Sequence, residues 1–232
     1  MIAFAHHRAD ATWQLAVDEY LLETQSNEGA LRTYQWDKTS ITFGYNLSYQ
    51  EVVNCLGSVP RSPIRRLTAG GLVNHQNDYT FSIVIPKKNP FYDLTAKQSY
   101  QSIHRTIQAI LKNLGVETIL HPCVHCEDPR PSEASVNSCF ENPVAFDLVR
   151  QGSIYQKVLG SAQKRTRKAL LLQGTLDKKA LPEVDWGIFE KRFLRTFSQK
   201  FSVELALQPL PGEEFLKQFL LKYRSNQWNQ KR

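Results

Sequence analysis

The sequence contains no apolar run that approaches the roughly 20 residues an α-helix needs to cross a bilayer. Its start, MIAFAHHRAD, has no apolar segment of the length found in signal peptides. We therefore expect a cytoplasmic protein that does not enter a membrane. Its four cysteines would be reduced there, and none is expected to form a structural disulfide.

Internal repeats, coiled-coil heptads, low-complexity tracts and Gly/Ser-rich linkers are also absent from the 232 residues. This favours a single domain over residues 1–232, with a separate small helical part from about residue 180 as the alternative.

The chain carries a net charge of +7, and its densest basic run consists of Lys164, Arg165, Arg167 and Lys168. A basic balance is compatible with nucleic acid, an anionic membrane or an acidic protein partner. No zinc-finger, helix-turn-helix or other nucleic-acid signature accompanies the run, so we expect no nucleic-acid partner. The charge predicts an anionic partner without identifying it.

Hydrophobic periodicity predicts helices over residues 13–22 and 98–114, and two further helices near the C-terminus that are marked by phenylalanines. β-Branched and aromatic residues predict strands in the intervening segments, which are 31–34, 40–44, 79–85, 144–149, 158–161 and 169–176. Groups of strands between separated helices indicate an α+β fold, in which a mixed, mainly antiparallel β-sheet packs against helices.

Residues 65–71 (RRLTAGG) form the first candidate site. Gly70 and Gly71 would let the backbone approach a ligand closely and direct amide N–H groups at an oxygen or an anion. Arg65 and Arg66 could hold an acyl carbonyl, a phosphate or a carboxylate. The same residues are also compatible with a hairpin turn whose arginines face solvent.

Lys157 and the segment 160–163 (GSAQ) form the second candidate site. Small residues would leave space above a sheet for an elongated ligand, and a lysine beside that space could stabilise a developing oxyanion. The alternative is a solvent-facing lysine next to a tightly packed strand.

Cys139 lies near the end of residues 121–142, a segment rich in Pro, Ser, Asn, Asp and Glu that predicts a long loop. A thiolate is a strong nucleophile when a nearby cation lowers the pKa of the thiol, and Lys157 could be that cation. The alternative is a buried structural cysteine.

The same loop contains Cys123 and Cys126, which have the C-x-x-C spacing of zinc ligands, and His121, His125 or Cys139 could complete a tetrahedral site. No second pair of ligands follows at a typical distance. We therefore predict no metal site and interpret these as loop residues or redox-reactive thiols.

Taken in chain order, the motifs resemble those of the biotin/lipoate protein ligase catalytic family. Residues 65–71 followed by His75 resemble its RRxTGGG…H motif, and residues 31–36 and 41–44 resemble its opening LRxYxW…xSxG motif. The resemblance covers most of residues 10–225.

One branch of that family, the cysteine-dependent octanoyltransferases of lipoate synthesis, is especially similar. Residues 139–143 (CFENP), 157–165 (KVLGSAQKR) and 172–175 (LQGT) resemble its motifs. The chain departs from the branch pattern at Ala69, which replaces a glycine, and at Gln173-Gly174, which lacks a histidine. It departs again in the lengthened spacing from Gly152 to Lys157.

The resemblance implies a fold like that of class II aminoacyl-tRNA synthetases and biotin–lipoate ligases. It implies a monomeric transferase that needs no cofactor and moves octanoyl from acyl carrier protein to a lipoyl-domain lysine, in glycine cleavage H protein or a dehydrogenase E2. Cys139 would be the nucleophile and Lys157 its electrostatic partner. The residues implied to bind substrate are Arg65, Arg66, Gly70, Gly71, His75, Gly160, Ser161, Ala162 and Gln163.

Two other functions are compatible with the same motifs. The first is an ATP-dependent lipoate or octanoate ligase, in which Lys157 binds an acyl-adenylate and Cys139 is incidental. The second is a non-catalytic acyl-carrier-binding or regulatory protein on the same fold, which the departure at Ala69 and the lengthened spacing before Lys157 would favour.

Overall fold

The computed structural model describes residues 1–25, 27–37, 40–57, 62–122, 143–151, 155–202 and 204–231. The strands are β1 (Ile2–Ala9), β2 (Ala30–Trp36), β3 (Ile41–Phe43), β4 (Ile64–Arg65), β5 (Val73–Asn74), β6 (Asp78–Pro86), β7 (Ile119–Leu120), β8 (Leu148–Arg150), β9 (Gln156–Arg165), β10 (Ala169–Asp177) and β11 (Glu204–Gln208). The helices are α1 (Ala11–Thr24), α2 (Tyr49–Leu56), α3 (Ala96–Lys112), α4 (Trp186–Phe201), α5 (Glu213–Arg224) and α6 (Asn226–Asn229), and residues Pro90–Asp93 form a 3-10 turn.

Eight of these strands form one sheet in the order β11-β1-β2-β6-β10-β9-β8-β7, and β4, β3 and β5 form a smaller one. In the large sheet, β1 runs parallel to both of its neighbours, whereas the remaining pairings are antiparallel. The predicted α+β fold with a mixed, mainly antiparallel sheet is confirmed. None of the helices in the described ranges is long and apolar enough to cross a membrane.

Helices cover both faces of the large sheet, because side chains alternate along its central strands. On β6, Phe81 and Ile83 pack into a core with α3 and α4. Val84, between Ile83 and Ile85, instead packs into a second core with α1 and α5. The predicted helices over 13–22 and 98–114 correspond to α1 and α3, and the Asp10 carboxylate caps α1 by accepting from the Trp13 N–H at 2.8 Å.

The predicted strand over residues 144–149 is wrong in its first part, since β8 begins only at Leu148. Residues 144–147 form a turn in which the Asp147 N–H donates to the Val144 carbonyl at 3.0 Å. The Asp147 carboxylate accepts from the Val144 N–H at 2.7 Å, and Phe146 adopts a φ of 69°. The turn places Asp147 directly before β8, where its carboxylate faces Lys157 of β9.

Candidate functional site

A pocket over the middle of the large sheet contains most of the predicted site residues that the structure describes. It encloses about 510 Å³ of empty space, part of which is open to solvent. The predicted residues that line it are Arg66, Gly70, His75, Lys157, Gly160, Ser161 and Ala162. Residues that were not predicted line it as well: Tyr34, Trp36, Val73, Thr80, Gln173, Gly174 and Thr175. Cys139 lies outside the described residues.

Lys157 is buried at this pocket and forms an ion pair. Its Nζ lies 2.7 Å from Oδ2 of Asp147, and the two side chains are 5% and 0% exposed. The Asp147 carboxylate also accepts from the Val144 N–H and the Tyr100 hydroxyl. A buried charge requires a counter-charge and hydrogen bonds. The Asp147 carboxylate is the counter-charge of Lys157, and the hydrogen bonds from Val144 and Tyr100 hold that carboxylate in place. The ion pair therefore determines the direction of the ammonium group.

A β-bulge brings Lys157 to the pocket face of β9. Leu148 of β8 pairs with Leu159, whereas the next residue, Val149, pairs with Lys157. Val158 is therefore the extra residue, and both Val158 and Leu159 point into the same core. On a regular strand Lys157 would face away from Gly160, but the bulge reverses its direction.

Gly160 makes room for the end of the Lys157 side chain. A Cβ atom on Gly160 would lie 2.6 Å from Cε and 2.8 Å from Nζ of Lys157. The small residues after Lys157 were predicted to leave space for a ligand. At Gly160, the lysine itself occupies that space.

Two side chains of α3 hold the neighbouring part of β9. The Tyr100 hydroxyl donates to Asp147 and accepts from the Ser161 N–H at 3.3 Å. His104 Nδ1 lies 2.8 Å from the Phe146 carbonyl, and its Nε2 lies 2.8 Å from Oγ of Ser161. A carbonyl only accepts, so Nδ1 carries the proton and Nε2 accepts from the serine hydroxyl. Burial lowers the pKa of His104 to about 3, which keeps the ring neutral.

The glycine segment is closely packed and held by Arg66. Gly70 has a φ of 94°, and a Cβ atom on Gly44, directly after β3, would lie 1.9 Å from the Gly70 carbonyl oxygen. Nη2 of Arg66 donates to the carbonyls of Ala69 at 3.1 Å and Gly71 at 2.9 Å. Ala69 is exposed and does not line the pocket, so its extra methyl group does not narrow it.

His75 lies in the pocket wall with both ring nitrogens occupied. Nδ1 lies 2.5 Å from Oδ2 of Asp78, and Nε2 lies 2.7 Å from Oγ1 of Thr42. Burial lowers the pKa of His75, and Trp36 stacks on the ring with a centroid distance of 3.9 Å. The neutral ring therefore donates to Asp78 and accepts from Thr42. This geometry indicates a structural role for His75 in the pocket wall.

Arg65 points away from the pocket. Its Nη1 donates to the carbonyls of Tyr45 at 2.6 Å and Leu47 at 2.8 Å. Its Nη2 donates to the carbonyls of Asn229 at 3.1 Å and Lys231 at 2.7 Å. Arg65 thus connects the C-terminal segment to the residues after β3, and the geometry gives it a structural position rather than contact with an acyl group.

Gln163 and Gly71 do not line the pocket either. The Gln163 amide donates to the Ala96 carbonyl at 2.7 Å and accepts from the Ser99 hydroxyl at 2.9 Å, so that it connects β9 to the start of α3.

Gln173, where the chain departs from the octanoyltransferase pattern, accepts from the Thr68 hydroxyl at 2.7 Å and donates to Asp18 at 2.6 Å. It joins the glycine segment to α1.

None of the predicted site residues is Asp147, Tyr100 or His104. Asp147 was detectable in principle, because a carboxylate inside an otherwise apolar segment (VAFDLV) is costly to bury without a partner. Tyr100 and His104 had no comparable signal, since both fit the amphipathic pattern of α3.

The possible zinc ligands cannot be compared as a set, because Cys123, His125, Cys126 and Cys139 lie outside the described residues. Within the described ranges, no group of three His, Cys, Asp or Glu side chains could hold a metal. The ring of His121 packs against Tyr155 with a centroid distance of 5.3 Å.

The chain belongs to the lipoyl protein ligase A/B catalytic domain family, whose model matches residues 10–180. Octanoyltransferase LipM of Oceanobacillus iheyensis is 31% identical over 186 residues, which cover 78% of this chain and 65% of that protein. Octanoyltransferase LipM of Kyrpidia tusciae is 25% identical over 96% of this chain and 95% of that protein. The predicted resemblance to the ligase family and to its octanoyltransferase branch is thereby confirmed.

The fold is also that of solved ligases. A bipartite lipoate protein ligase from Thermoplasma acidophilum, whose structural analysis includes its E2 lipoyl domain, superimposes with a TM-score of 0.69 at 18% identity, covering 99% of this chain and 95% of that one. The chain spans less than two thirds of several curated relatives it matches, with 65, 62 and 59% of their lengths covered in three of them.

Proposed function

We propose that the protein is an octanoyltransferase that moves an octanoyl group from acyl carrier protein to a lysine of a lipoyl domain, through a thioester on Cys139. The observation that carries the proposal is the buried Lys157–Asp147 ion pair, which holds an ammonium group at the wall of the pocket. The octanoyltransferases among the matched relatives support the choice of acyl group. The Thermoplasma ligase, studied together with its lipoyl domain, supports the choice of acceptor.

In the first step, the Cys139 thiolate attacks the thioester carbonyl of octanoyl carrier protein. The carbonyl oxygen becomes negatively charged, and the Lys157 ammonium stabilises it in surroundings from which water is largely excluded. The C–S bond to the carrier then breaks, the carrier thiolate leaves and takes up a proton, and octanoyl-Cys139 remains.

In the second step, the neutral amine of an acceptor lysine attacks octanoyl-Cys139. A second oxyanion forms at the same position, the bond to the Cys139 sulfur breaks with release of the Cys139 thiolate, and the amine proton passes to solvent as the amide forms. Exchange of one thioester for another is nearly isoenergetic and amide formation is favourable, so that neither step needs ATP or another cofactor.

The turn before β8 supports the role of Cys139. Val144 follows Cys139 by five residues, and its N–H is bound to the same carboxylate that holds Lys157. Five residues span at most about 17 Å when fully extended. A position of the Cys139 thiol beside the ammonium group is therefore compatible with the chain connection.

We further propose that residues 1–232 act as one monomeric catalytic domain in the cytoplasm, without a resident metal. Contacts along the chain support the single domain. β11 pairs with β1, α5 packs against α1, and the α6 carbonyls bind Arg65.

The test is to incubate the protein with octanoyl carrier protein, without ATP, and to record its intact mass. We expect a hydroxylamine-labile gain of one octanoyl group that Cys139→Ser abolishes. Cys55→Ser is the matched control, because Cys55 lies exposed on α2, and this variant should acylate like the wild type.

Two results would contradict the proposal. ATP-dependent acylation of a lipoyl domain by both wild type and Cys139→Ser, with no adduct on the enzyme, would indicate a ligase. Binding of octanoyl carrier protein with neither adduct nor transfer would indicate a non-catalytic protein.

A further inference from the structure

Two segments at one end of the large sheet carry most of the net charge of the protein. Residues 87–95 and 164–168 contain six basic side chains and one acidic one, Asp93, which amounts to +5 of the total of +7. We call the six basic side chains the basic hairpin surface: Lys87, Lys88, Lys164, Arg165, Arg167 and Lys168. Five of them are exposed and Lys164 is partly buried.

The two segments are adjacent because of the sheet. Ala169 of β10 pairs with Pro86 of β6, and the Lys87 N–H donates to the Lys168 carbonyl at 2.8 Å. The turn between β9 and β10 is ordered by Thr166, whose Oγ1 accepts from the N–H groups of Lys168 and Ala169 at 3.2 and 3.1 Å. The basic hairpin surface therefore presents its charges on a defined backbone.

Among the described residues, no carboxylate neutralises these charges. None of the six residues forms an ion pair with another described residue, whereas Arg150 pairs with Glu183 and Lys222 with Glu19 elsewhere on the surface. Arg165 donates to the carbonyls of Tyr92 and Leu94, which are uncharged. Unpaired charges of one sign produce a local field that attracts an oppositely charged macromolecule.

The surface begins at the rim of the pocket. Ala162 lines the pocket, and Lys164 lies two residues further along β9 on the same face, because side chains alternate along a regular strand. At 3.3 Å per residue, Lys164 is roughly 7 Å from Ala162 along β9, and Arg167 lies in the turn that follows this strand. A partner bound there can place a tethered acyl group in the pocket without covering the whole sheet.

We propose that the basic hairpin surface is the docking site of the acidic carrier protein that delivers the octanoyl thioester. The inference rests on the proposed function, which requires a protein-bound donor. The concentration of unpaired positive charge beside the pocket favours an acidic partner at this surface. The lipoyl domain, which must reach the same pocket in the second step, is the competing occupant.

The experiment compares two charge-reversed variants with three substitutions each. The first, Lys88→Glu/Arg167→Glu/Lys168→Glu, alters exposed side chains of the surface that make no hydrogen bond to another described residue. Arg165 is left unchanged because its guanidinium donates hydrogen bonds to the carbonyls of Tyr92 and Leu94. The control, Lys191→Glu/Arg192→Glu/Arg195→Glu, makes the same charge change on three exposed residues of α4.

Formation of the acyl-enzyme is measured with two donors, octanoyl carrier protein and the uncharged small thioester octanoyl-N-acetylcysteamine. For the surface variant at low salt, we expect kcat/KM with the carrier protein to fall about tenfold or more, and less as salt is added. The rate with the small thioester should be unchanged, and the control should stay within about twofold of wild type with both donors.

A surface variant that reacts with octanoyl carrier protein at the wild-type rate would overturn the proposal. So would a defect confined to transfer from preformed acyl-enzyme to a lipoyl domain, which would assign the surface to the acceptor. If wild type reacts with neither donor, the proposed function fails. In that case the docking proposal is tested by measuring the binding of fluorescent carrier protein to wild type, the surface variant and the control. Weaker binding by the surface variant alone supports docking at the basic hairpin surface, and equal binding by all three proteins excludes it.

Discussion

The substitution Gly160→Ala tests whether the position of the Lys157 ammonium group controls the reaction. The new Cβ atom would lie 2.6 Å from Cε and 2.8 Å from Nζ of Lys157. Carbon atoms in ordinary contact are about 3.5–4.0 Å apart, so the end of the lysine must move by roughly 1 Å. A shift of that size breaks the contact of 2.7 Å between Nζ and Asp147.

The expected loss is large for the reaction and small for the fold. Misplacing a catalytic group by about 1 Å can reduce a rate on the order of 100-fold. Overpacking costs roughly 1–3 kcal/mol of unfolding free energy, and the lower end applies here because the displaced atoms are the flexible end of a side chain. Replacing a strand glycine also recovers about 0.5–1 kcal/mol of conformational entropy.

The rate of octanoyl-Cys139 formation is measured by mass spectrometry in a single turnover, and the unfolding free energy is measured in urea. Gly187→Ala, which makes the same change at an exposed position near the start of α4, should leave the rate unchanged. A Gly160→Ala variant that acylates within threefold of wild type would refute the role of the ammonium position. A variant that loses activity because it unfolds would instead contradict the expected small effect on the fold.

Three further predictions concern single side chains. Asp147→Asn leaves the buried Lys157 ammonium without a counter-charge and should lower the unfolding free energy in urea by about 3–5 kcal/mol; a loss below about 1 kcal/mol would show that the pair contributes little. In Arg65→Lys, the single ammonium group cannot donate to all four carbonyls that Arg65 binds, so the unfolding free energy in urea should fall by about 2–4 kcal/mol. The acylation rate should stay within threefold of wild type. A lost rate with unchanged stability would place Arg65 in catalysis. The pKa of His104 is about 3 in the folded protein, whereas an unfolded histidine has a pKa of 6.5. Between these pH values the unfolded chain binds a proton that the folded protein does not bind. The stability present above pH 6.5 is therefore lost as the pH falls towards 3. Urea unfolding at pH 7 and pH 5 should show a loss about 2 kcal/mol larger for wild type than for His104→Gln, and equal losses would contradict the assigned neutral ring.

The sequence predicted the composition of the pocket better than the directions of its side chains. Arg65 and Arg66 belong to the same motif, but neighbouring residues of an extended segment point to opposite sides. Arg66 therefore lines the pocket, while Arg65 binds the C-terminal segment. Ala162 and Gln163 differ in the same way, one facing the pocket and the other α3. A motif indicates that residues belong together without indicating which side each one faces.

Partners that are distant in the chain were the hardest to predict. Asp147 joins Tyr100 of α3 to Lys157 of β9, and no local pattern relates these elements. The pairing of β11 with β1 was missed for the same reason, because a parallel pair joins segments that are far apart in sequence.

The bulge at Val158 explains why the motif around Lys157 cannot be interpreted from alternation alone. Regular alternation would place Lys157 on the face opposite Gly160 and Ala162, pointing into the core that Leu159 occupies. The extra residue turns Lys157 to the pocket and lets both Val158 and Leu159 enter the core. Gly160 then has to be small, because the lysine returns along the strand over it. The lysine, the bulge and the glycine form one arrangement, in which each residue type follows from the position of the other two.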